Sequence, residues 1–284
     1  EVYYVILFRD LVDAAIVRFS KNTLETKHFF IWKGNIYKPL WTYEYEKKGH
    51  DVIMTYNGSF VDLKVKHNEY NSDHSGIGLT TWKHHLVVDK YVSSFIKNKI
   101  KIPIKVEVKL LIPFFATSTQ LFLPKNSIAV FAYENHRLNL GLGAFSDYAS
   151  ARGDHQQSGR LIFDFYEDLY KLIAKKNFFL VTKRKREAKE ISIKSINNLF
   201  NNLKKEKNCL VLDPSIDALD IIASCRGCIS MPVTSTAIFA KLKNVPSIFY
   251  DPYDWIEKKD PALSGIPVYN LSEVERWLDS LDIN

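Results

Sequence analysis

The sequence has few cysteines and no long apolar run. Three cysteines among 284 residues are too few, and odd in number, for the disulfide framework of a small secreted domain. Apolar residues never continue for the roughly 18 positions that a membrane-spanning helix needs. Residues 1–19 also lack the basic flank and the small-residue cleavage site of a signal peptide. These absences predict a cytoplasmic chain.

Two common nucleotide-binding motifs are also missing. The sequence contains neither G-x-G-x-x-G nor G-x-x-x-x-G-K-S/T, which counts against NAD-dependent enzymes and P-loop NTPases. Cys225 and Cys228 form a C-x-x-C pair, but no second Cys or His pair follows at zinc spacing. We interpret the cysteines as buried structural thiols and expect no metal.

Composition and charge favour a folded protein with an anionic partner. Hydrophobic residues make up 46% of the sequence and charged residues 25%, which is ordinary for a globular protein. The 39 Lys and Arg residues outnumber the 32 Asp and Glu residues and give a net charge of +7. This charge favours a nucleotide, a nucleic acid or an acidic membrane surface as partner and does not choose among them.

The second half of the chain alternates short apolar runs with longer amphipathic ones. Strands of about five apolar residues that alternate with helices of ten or more are typical of a parallel, doubly wound sheet. The predicted strands are 127–133, 177–182, 209–212, 228–231 and 246–250, and the predicted helices are 161–175, 191–204, 217–224, 237–243 and 271–281.

The first half shows the same alternation less clearly. It predicts strands at 2–8, 51–56, 85–88 and 105–108 and helices at 11–19, 39–48 and 91–98. A change in composition at 114–126 indicates a linker. We therefore predict an α/β protein with two Rossmann-like domains and parallel sheets, residues 1–120 and residues 121–284. The first is small or truncated, and the second is complete.

The stretch from Cys228 to Tyr253 contains the strongest candidate site. Its polar loop 232–236 carries hydroxyls at Thr234, Ser235 and Thr236, directly between a predicted strand and a predicted helix. The free N–H groups and the dipole at a helix start attract anions, and hydroxyls add donors. Open α/β sheets bind ligands at the carboxyl ends of strands, so the loop is a candidate phosphate site. The alternative is a helix cap without a ligand.

Other polar loops follow the carboxyl ends of neighbouring predicted strands. Lys183 and Arg184 begin a basic run after one strand, Asp213 follows the next strand, and Asp251 follows the strand at 246–250. We expect the basic groups to face an anionic ligand such as a diphosphate. Asp213 and Asp251 are candidates for binding its base or ribose. The alternatives are a solvated basic run and aspartates that cap turns or helices.

Glu44 and His85 in the first half are candidates for a general base. Glu44 lies on a predicted helix and His85 on a predicted strand. Histidines on strands more often have a structural role, and the sequence does not rank the two residues.

Several sequence blocks, spread over residues 34–275, together resemble one family. They are KPLWTYE at 38–44, VDKY at 88–91, LVTKR at 180–184, ISMPVTSTA at 229–237 and PSIFYDP at 246–252. Together they resemble the bacterial surface-carbohydrate transferases that build capsule and lipopolysaccharide. The loop 232–236 is also similar to that of capsule transferases that move Kdo or sialic-acid-like sugars from CMP.

The resemblance implies a metal-independent GT-B glycosyltransferase without a cofactor. In that family the C-terminal domain holds the nucleotide sugar and the N-terminal domain holds the acceptor. Residues 234–236 would bind the donor phosphate, Lys183 and Arg184 would neutralise its charge, and Arg137 would bind a carboxylate. Glu44 or His85 would take the acceptor proton.

We therefore expect a cytoplasmic glycosyltransferase that moves a sugar, with a CMP-linked donor favoured, onto a surface polysaccharide or a lipid-linked acceptor. Its basic surface is expected to contact the anionic inner face of the plasma membrane. One alternative is a sugar-nucleotide epimerase or polyol-phosphate transferase on the same scaffold. Another is a nucleic-acid-binding module, although acidic residues interrupt the basic runs and no RNA-module signature occurs.

Overall fold

The structure is a computed structural model that describes residues 2–21, 27–31, 37–56, 77–109, 119–132, 157–185, 194–232, 234–260 and 263–281. The helices are α1 Val2–Phe19, α2 Leu40–Lys47, α3 Lys90–Lys99, α4 Gln157–Lys175, α5 Lys194–Leu203, α6 Ala218–Ala223, α7 Thr236–Leu242 and α8 Leu271–Leu281. The strands are β1 Lys27–Ile31, β2 Asp51–Thr55, β3 His84–Val87, β4 Lys105–Val108, β5 Ser127–Phe131, β6 Phe179–Lys183, β7 Cys209–Leu212, β8 Gly227–Ser230, β9 Ser247–Tyr250 and β10 Val268–Tyr269.

The described residues divide into two compact units, residues 2–109 and residues 119–281. Residues 119–126 are the described end of the predicted linker, and they are attached to the second unit. The Thr119 N–H donates to Asp220 at 2.7 Å, and the Leu121 N–H donates to Ser224 at 2.9 Å. The domain boundary at residue 120 stays a prediction.

The N-terminal unit contains a parallel sheet with the strand order β1-β2-β3-β4. Strands β2 and β3 are its buried centre, because nearly all their residues are shielded from solvent. Helix α3 begins at Asp89, whose carboxylate accepts hydrogen bonds from the N–H groups of Tyr91 and Val92. This cap satisfies donors that a helix start leaves open. The core includes Val52, Met54, Tyr56, Trp82, Val87 and Ile96.

The start of the chain differs from the prediction. A strand was expected at 2–8 and a helix at 11–19, but the structure has the single helix α1. The run Val-Tyr-Tyr-Val-Ile-Leu-Phe has strand-like composition, and it continues the helix whose side at residues 10–17 packs on α2. Tertiary packing therefore overrides local strand propensity here.

The C-terminal unit contains a parallel sheet with the order β10-β9-β8-β5-β6-β7. Helix α4 contacts α5 and α8, and α6 contacts α7, so two groups of helices cover the sheet. The central strands β5 and β8 are fully buried, as expected for a parallel sheet with helices on its faces. The predicted α/β class with parallel sheets is confirmed.

Candidate functional site

The polar loop 232–236 lies at the topological switch point of the C-terminal sheet. Strands β6 and β7 lie on one side of β5, whereas β8 and β9 lie on the other side. The chain leaves β8 next to the end of β5, because the Met231 N–H donates to the Phe131 carbonyl at 2.8 Å. Connections from two such strands diverge and open a crevice in which doubly wound sheets bind ligands. The predicted phosphate loop thus occupies the favoured position for a ligand.

Side chains around this loop form a continuous hydrogen-bond chain. Cys228 Sγ is 3.5 Å from Ser230 Oγ, which is 2.7 Å from Thr236 Oγ1. Thr236 donates to Thr234 Oγ1 at 3.3 Å, and Thr234 donates to the Met231 carbonyl at 2.7 Å. Because each hydroxyl has one proton, Ser230 must be the donor to Thr236. The hydroxyl protons of Thr234 and Thr236 are therefore used within the loop.

Ser235 is the loop residue whose hydroxyl is best placed for a ligand. It precedes α7 with φ −77° and ψ −9°, and its side chain makes no capping hydrogen bond. Helix α7 has seven residues, so its dipole is short. The hydroxyl of Ser235 and the N–H groups of the first helical turn are therefore the main donors that this loop offers.

Lys183 is the last residue of β6 and Arg184 follows it, and the two side chains make contacts with different elements. Lys183 Nζ donates to the Pro214 carbonyl at 3.0 Å and to the Ile216 carbonyl at 2.5 Å. Burial lowers the pKa of Lys183. Arg184 is buried, and its Nη1 donates to Asn197 Oδ1 at 2.6 Å. Both cations thus contact neighbouring loops or helices, and their part in binding a phosphate stays a prediction.

The two aspartates expected to bind a nucleoside organise their own loops. Asp213 is exposed and accepts from the Ser215 N–H at 2.8 Å and the Ser215 hydroxyl at 2.5 Å. These hydrogen bonds lower the pKa of Asp213. Asp251 is 1% exposed and accepts from the N–H groups of Tyr253 and Ile256. These contacts of its enclosed carboxylate count against the predicted contact with a nucleoside, and the roles of Asp251 and Asp213 both stay predictions.

An aromatic pair that the sequence analysis missed follows β9. The rings of Tyr253 and Trp255 stack with centroids 4.7 Å apart and planes at 16°. The Tyr253 hydroxyl donates to Asp164, and the Tyr250 hydroxyl donates to Asp168 at 2.6 Å. Tyr253 is 37% exposed, so the pair offers a flat surface on which a base can stack. Two aromatic residues two positions apart after a strand are the signal that would have found it.

Glu44 lies on α2 and pairs with Lys47 on the same helix. Lys47 Nζ is 2.6 Å from Glu44 Oε1, and this hydrogen bond lowers the pKa of the carboxyl group. A carboxylate with a lowered pKa is a weaker base than an ordinary glutamate. The ion pair counts against a role in proton removal, which stays a prediction.

His85 is fully buried, and both ring nitrogens have partners. Nε2 is 2.9 Å from the Trp82 carbonyl, and Nδ1 is 3.1 Å from the Tyr56 hydroxyl. Because a carbonyl can only accept, Nε2 carries the proton and Nδ1 accepts from Tyr56. Burial lowers the pKa of His85 to about 4. Its burial and its two partners count against a role as general base, which stays a prediction.

A buried ion pair in the same unit was also missed. Lys38 Nζ is 2.5 Å from Glu46 Oε1, and the Lys38 side chain has no exposed surface. The ammonium lies 4.4 Å from the ring centre of Tyr43 and 5.4 Å from that of Trp82. Burial lowers the pKa of Lys38. Pairing and ring contacts together offset the cost of enclosing this charge.

Arg137, the predicted carboxylate ligand, lies outside the described residues. Burial raises the pKa of all three thiols to about 12; Cys228 is buried, whereas Cys209 and Cys225 are partly exposed. Among the residues that the structure describes, no group of three or more His, Cys, Asp or Glu side chains is placed to hold a metal ion. The same residues include no helix with the length and apolarity to cross a membrane.

A model of the polysaccharide biosynthesis PFTS motif proteins matches residues 1–278. The chain belongs to the polysaccharide biosynthesis PFTS motif family. Residues 232–235 read Pro-Val-Thr-Ser and differ from the letters of the family name at one position. The polar loop at the switch point thus carries three of the four letters of the family name in the same order, and we call residues 232–235 the family motif loop. The resemblance to polysaccharide biosynthesis proteins is confirmed, and capsule or lipopolysaccharide as the product stays a prediction.

Three solved structures are similar to this chain. A glycosyltransferase from Rickettsia africae has a TM-score of 0.50 and 14% identity, covering 98% of this chain and 71% of that one. The Methanocaldococcus jannaschii UDP-GlcNAc 2-epimerase, solved with UDP-GlcNAc and UDP, has a TM-score of 0.49 and 11% identity, covering 95% and 72%. The wall teichoic acid polymerase TagF has a TM-score of 0.44 and 13% identity, covering 99% and 89%.

The likeness to the Rickettsia africae protein confirms the predicted GT-B-like fold. No curated protein matches the sequence.

Proposed function

We propose that this chain is a glycosyltransferase that moves a sugar from a nucleotide-activated donor onto a surface polysaccharide or a lipid-linked acceptor. The observation that carries the proposal is the position of the polar loop that resembles the letters of the family name. This loop follows β8 after one residue, Met231, at the switch point of the C-terminal sheet, where doubly wound sheets bind nucleotides. Membership of a polysaccharide biosynthesis family and the GT-B-like fold support the reaction class.

The chemistry that the loop supports is stabilisation of a leaving phosphate. When the bond between the sugar and the donor phosphate breaks, negative charge develops on the phosphate oxygens. Donors already fixed at that place lower the barrier because they need no rearrangement during the reaction. The Ser235 hydroxyl and the N–H groups that begin α7 supply such donors. The ammonium of Lys183, held against neutral carbonyl groups, adds positive charge to the same edge of the sheet.

The nucleoside is proposed to bind beside this loop. Asp213 is exposed at the end of β7 and can accept hydrogen bonds from a ribose or a base. The stacked rings of Tyr253 and Trp255, at the end of β9, offer a second surface for a base. CMP is the proposed nucleotide of the donor, supported by the similarity of the motif loop to that of Kdo and sialic-acid capsule transferases. Transfer is proposed to need no metal.

The acceptor side is proposed to lie in the N-terminal unit. His85 is enclosed and neutral, and Glu44 is paired with Lys47, so neither residue presents a free base with an ordinary pKa. The described residues therefore support binding of the nucleotide-sugar donor better than activation of the acceptor. Removal of the acceptor proton by a carboxylate or histidine of this unit stays a prediction.

A thermal-shift screen with CMP, CDP, UDP and GDP tests the donor site. A nucleotide that binds the folded chain raises its melting temperature by mass action. The Ser235→Ala variant should bind that nucleotide roughly tenfold more weakly, because it loses a hydrogen bond to a charged group. Ser280→Ala is the matched control, since Ser280 is an exposed serine on α8 and should leave binding unchanged.

Release of free nucleotide then identifies the reaction. A transferase releases nucleotide from a nucleotide sugar faster when a saccharide acceptor is present, whereas an epimerase converts the sugar without an acceptor. If no nucleotide stabilises the chain, or if Ser235→Ala and Ser280→Ala bind it equally well, the motif loop is not the donor site. Binding to nucleic acid that falls steeply with salt and ignores nucleotides would contradict the proposal as a whole.

A further inference from the structure

Helix α1 carries a row of exposed apolar side chains on the side that faces away from α2. Its shielded positions are Asp10, Asp13, Ala14 and Val17, which recur at helical spacing. On the opposite side, apolar residues also recur every three or four positions and are between 40% and 79% exposed. We call them the outer stripe, and they are Val5, Phe8, Val12, Ile16 and Phe19.

The outer stripe is not needed to attach α1 to its unit. The Asp10 carboxylate accepts a hydrogen bond from the Leu40 N–H at 2.9 Å, which joins α1 to the start of α2. At the other end of the helix, Lys48 Nζ donates to the carbonyl groups of Val17 and Ser20. The helix is thus fixed through its inner side, and a continuous apolar row on its outer side marks an interaction surface.

Basic side chains border this row along both edges. Each helical residue turns by about 100°, which places Arg9 beyond Ile16 on one edge of the outer stripe and Arg18 on the other edge. The Arg9 side chain is 85% exposed and forms an ion pair of 4.0 Å with Asp13, whose side chain is 46% exposed, and Arg18 is also exposed. The carboxylates of the helix, Asp10 and Asp13, lie on the side that faces α2. The outer surface of α1 is therefore apolar along its centre and bordered by two exposed arginines, of which Arg9 is paired with Asp13.

We propose that α1 lies in the interfacial layer of an acidic phospholipid membrane. The outer stripe would insert among the acyl chains, and Arg9 and Arg18 would extend beside the lipid phosphates, as arginines at membrane surfaces do. A second copy of the chain is a poorer occupant. Pairing two outer stripes would bring the arginines of both copies together, whereas the acidic lipid headgroups neutralise them. This proposal places at α1 the membrane contact that the net charge led us to expect.

Sedimentation with lipid vesicles tests the proposal without any nucleotide or sugar, so its outcome is independent of the proposed reaction. The full chain should sediment with vesicles that contain phosphatidylglycerol, and less with vesicles of phosphatidylcholine alone. The Phe8→Ser/Ile16→Ser variant should lose at least about tenfold in partitioning. Leu79→Ser/Phe122→Ser is the matched control, because both residues are exposed apolar side chains elsewhere in the chain.

A second pair of variants tests the basic edges. Arg9→Gln/Arg18→Gln should weaken binding to the acidic vesicles by roughly tenfold and make it less sensitive to salt. Lys97→Gln/Lys101→Gln removes the same charge from exposed positions and should have a smaller effect. Circular dichroism and melting temperature confirm that each variant folds like the parent chain.

Three results would overturn the proposal. One is that the parent chain does not sediment with phosphatidylglycerol vesicles. Another is that the stripe variant binds as well as the Leu79→Ser/Phe122→Ser control. The third comes from light scattering after gel filtration: a parent dimer that becomes a monomer in the stripe variant would show that α1 binds a second copy.

Discussion

The hydroxyl of Ser230, at the end of β8, lies 2.7 Å from the hydroxyl of Thr236, at the start of α7. This contact joins the two ends of the family motif loop. Ser230 is completely buried, so its hydroxyl contacts the loop from the protein interior. The geometry separates two kinds of residue in the motif region: Ser230, Thr234 and Thr236 shape the loop, whereas Ser235 has a hydroxyl that takes no part in this chain.

Replacing Ser230 with alanine should loosen the loop without removing a ligand contact. Thr236 loses its buried partner, and we expect the free energy of unfolding of the C-terminal unit to fall by about 1 kcal/mol. Nucleotide affinity should fall less than in Ser235→Ala. Urea unfolding and nucleotide titration measure the two effects. A large loss of affinity in Ser230→Ala with unchanged stability would mean that Ser230 contacts the ligand itself.

Gly227 should not tolerate a side chain. A methyl group at this position would lie 2.7 Å from Trp277 Cη2 and 3.1 Å from Leu281 Cδ1, and Trp277 and Leu281 belong to α8. We expect Gly227→Ala to lower the free energy of unfolding by about 1–3 kcal/mol through overpacking. Chemical unfolding with fluorescence detection measures the change.

A double-mutant cycle identifies the cause of that loss. Trp277→Leu removes the ring that the new methyl group meets, so Gly227→Ala should cost less in its presence. Gly49→Ala is a useful comparison, because Gly49 has open space around it and a φ of 84°. Its cost should be about 1–2 kcal/mol and come from the backbone alone. An unchanged cost of Gly227→Ala in the Trp277→Leu background would exclude the indole contact as the cause.

The C-terminal sheet was predictable because its strands are buried on both faces. Strands β5 to β9 appear in the sequence as short apolar runs between polar loops, and each lies within about two residues of its prediction. Strand β10 has two residues, which is too short to give a pattern. Strand β1 was missed, because its sequence KHFFI begins with two polar residues and has no clear alternation.

The candidate site was predictable in position and less so in detail. A hydroxyl-rich loop between a strand and a helix can be recognised from sequence, and this one carries three of the four letters of the family name. The partners of a side chain depend on residues distant in the chain. Burial lowers the pKa of His85, whose ring nitrogens meet Trp82 and Tyr56, and Lys183 reaches the carbonyl of Ile216. Such contacts cannot be predicted from the neighbouring residues in the sequence.

Lys183→Met should separate the two roles of that lysine. Loss of its hydrogen bonds to the Pro214 and Ile216 carbonyls should destabilise the C-terminal unit by about 1–3 kcal/mol. If Lys183 also faces the donor phosphates, affinity for a nucleoside diphosphate should fall about tenfold, and by more than affinity for the nucleoside. Lys171→Met, at an exposed position on α4, is the control. An unchanged affinity for the diphosphate would show that Lys183 only stabilises the loop that contains Pro214 and Ile216.

Acidification should destabilise the N-terminal unit through His85. Its pKa is about 4 in the fold against an ordinary value of 6.5, because burial disfavours the charged ring. Between these values the unfolded chain binds more protons than the folded chain, so stability falls as the pH decreases. Above about pH 6.5 protonation of His85 does not reduce the free energy of unfolding, and by pH 4 it has reduced it by up to about 3 kcal/mol. Hydrogen exchange of the β2 and β3 amides at several pH values, corrected for intrinsic rates, measures how steeply the free energy of unfolding depends on pH. His85→Gln cannot titrate and should flatten it, so an unchanged slope in that variant would assign the effect to another group.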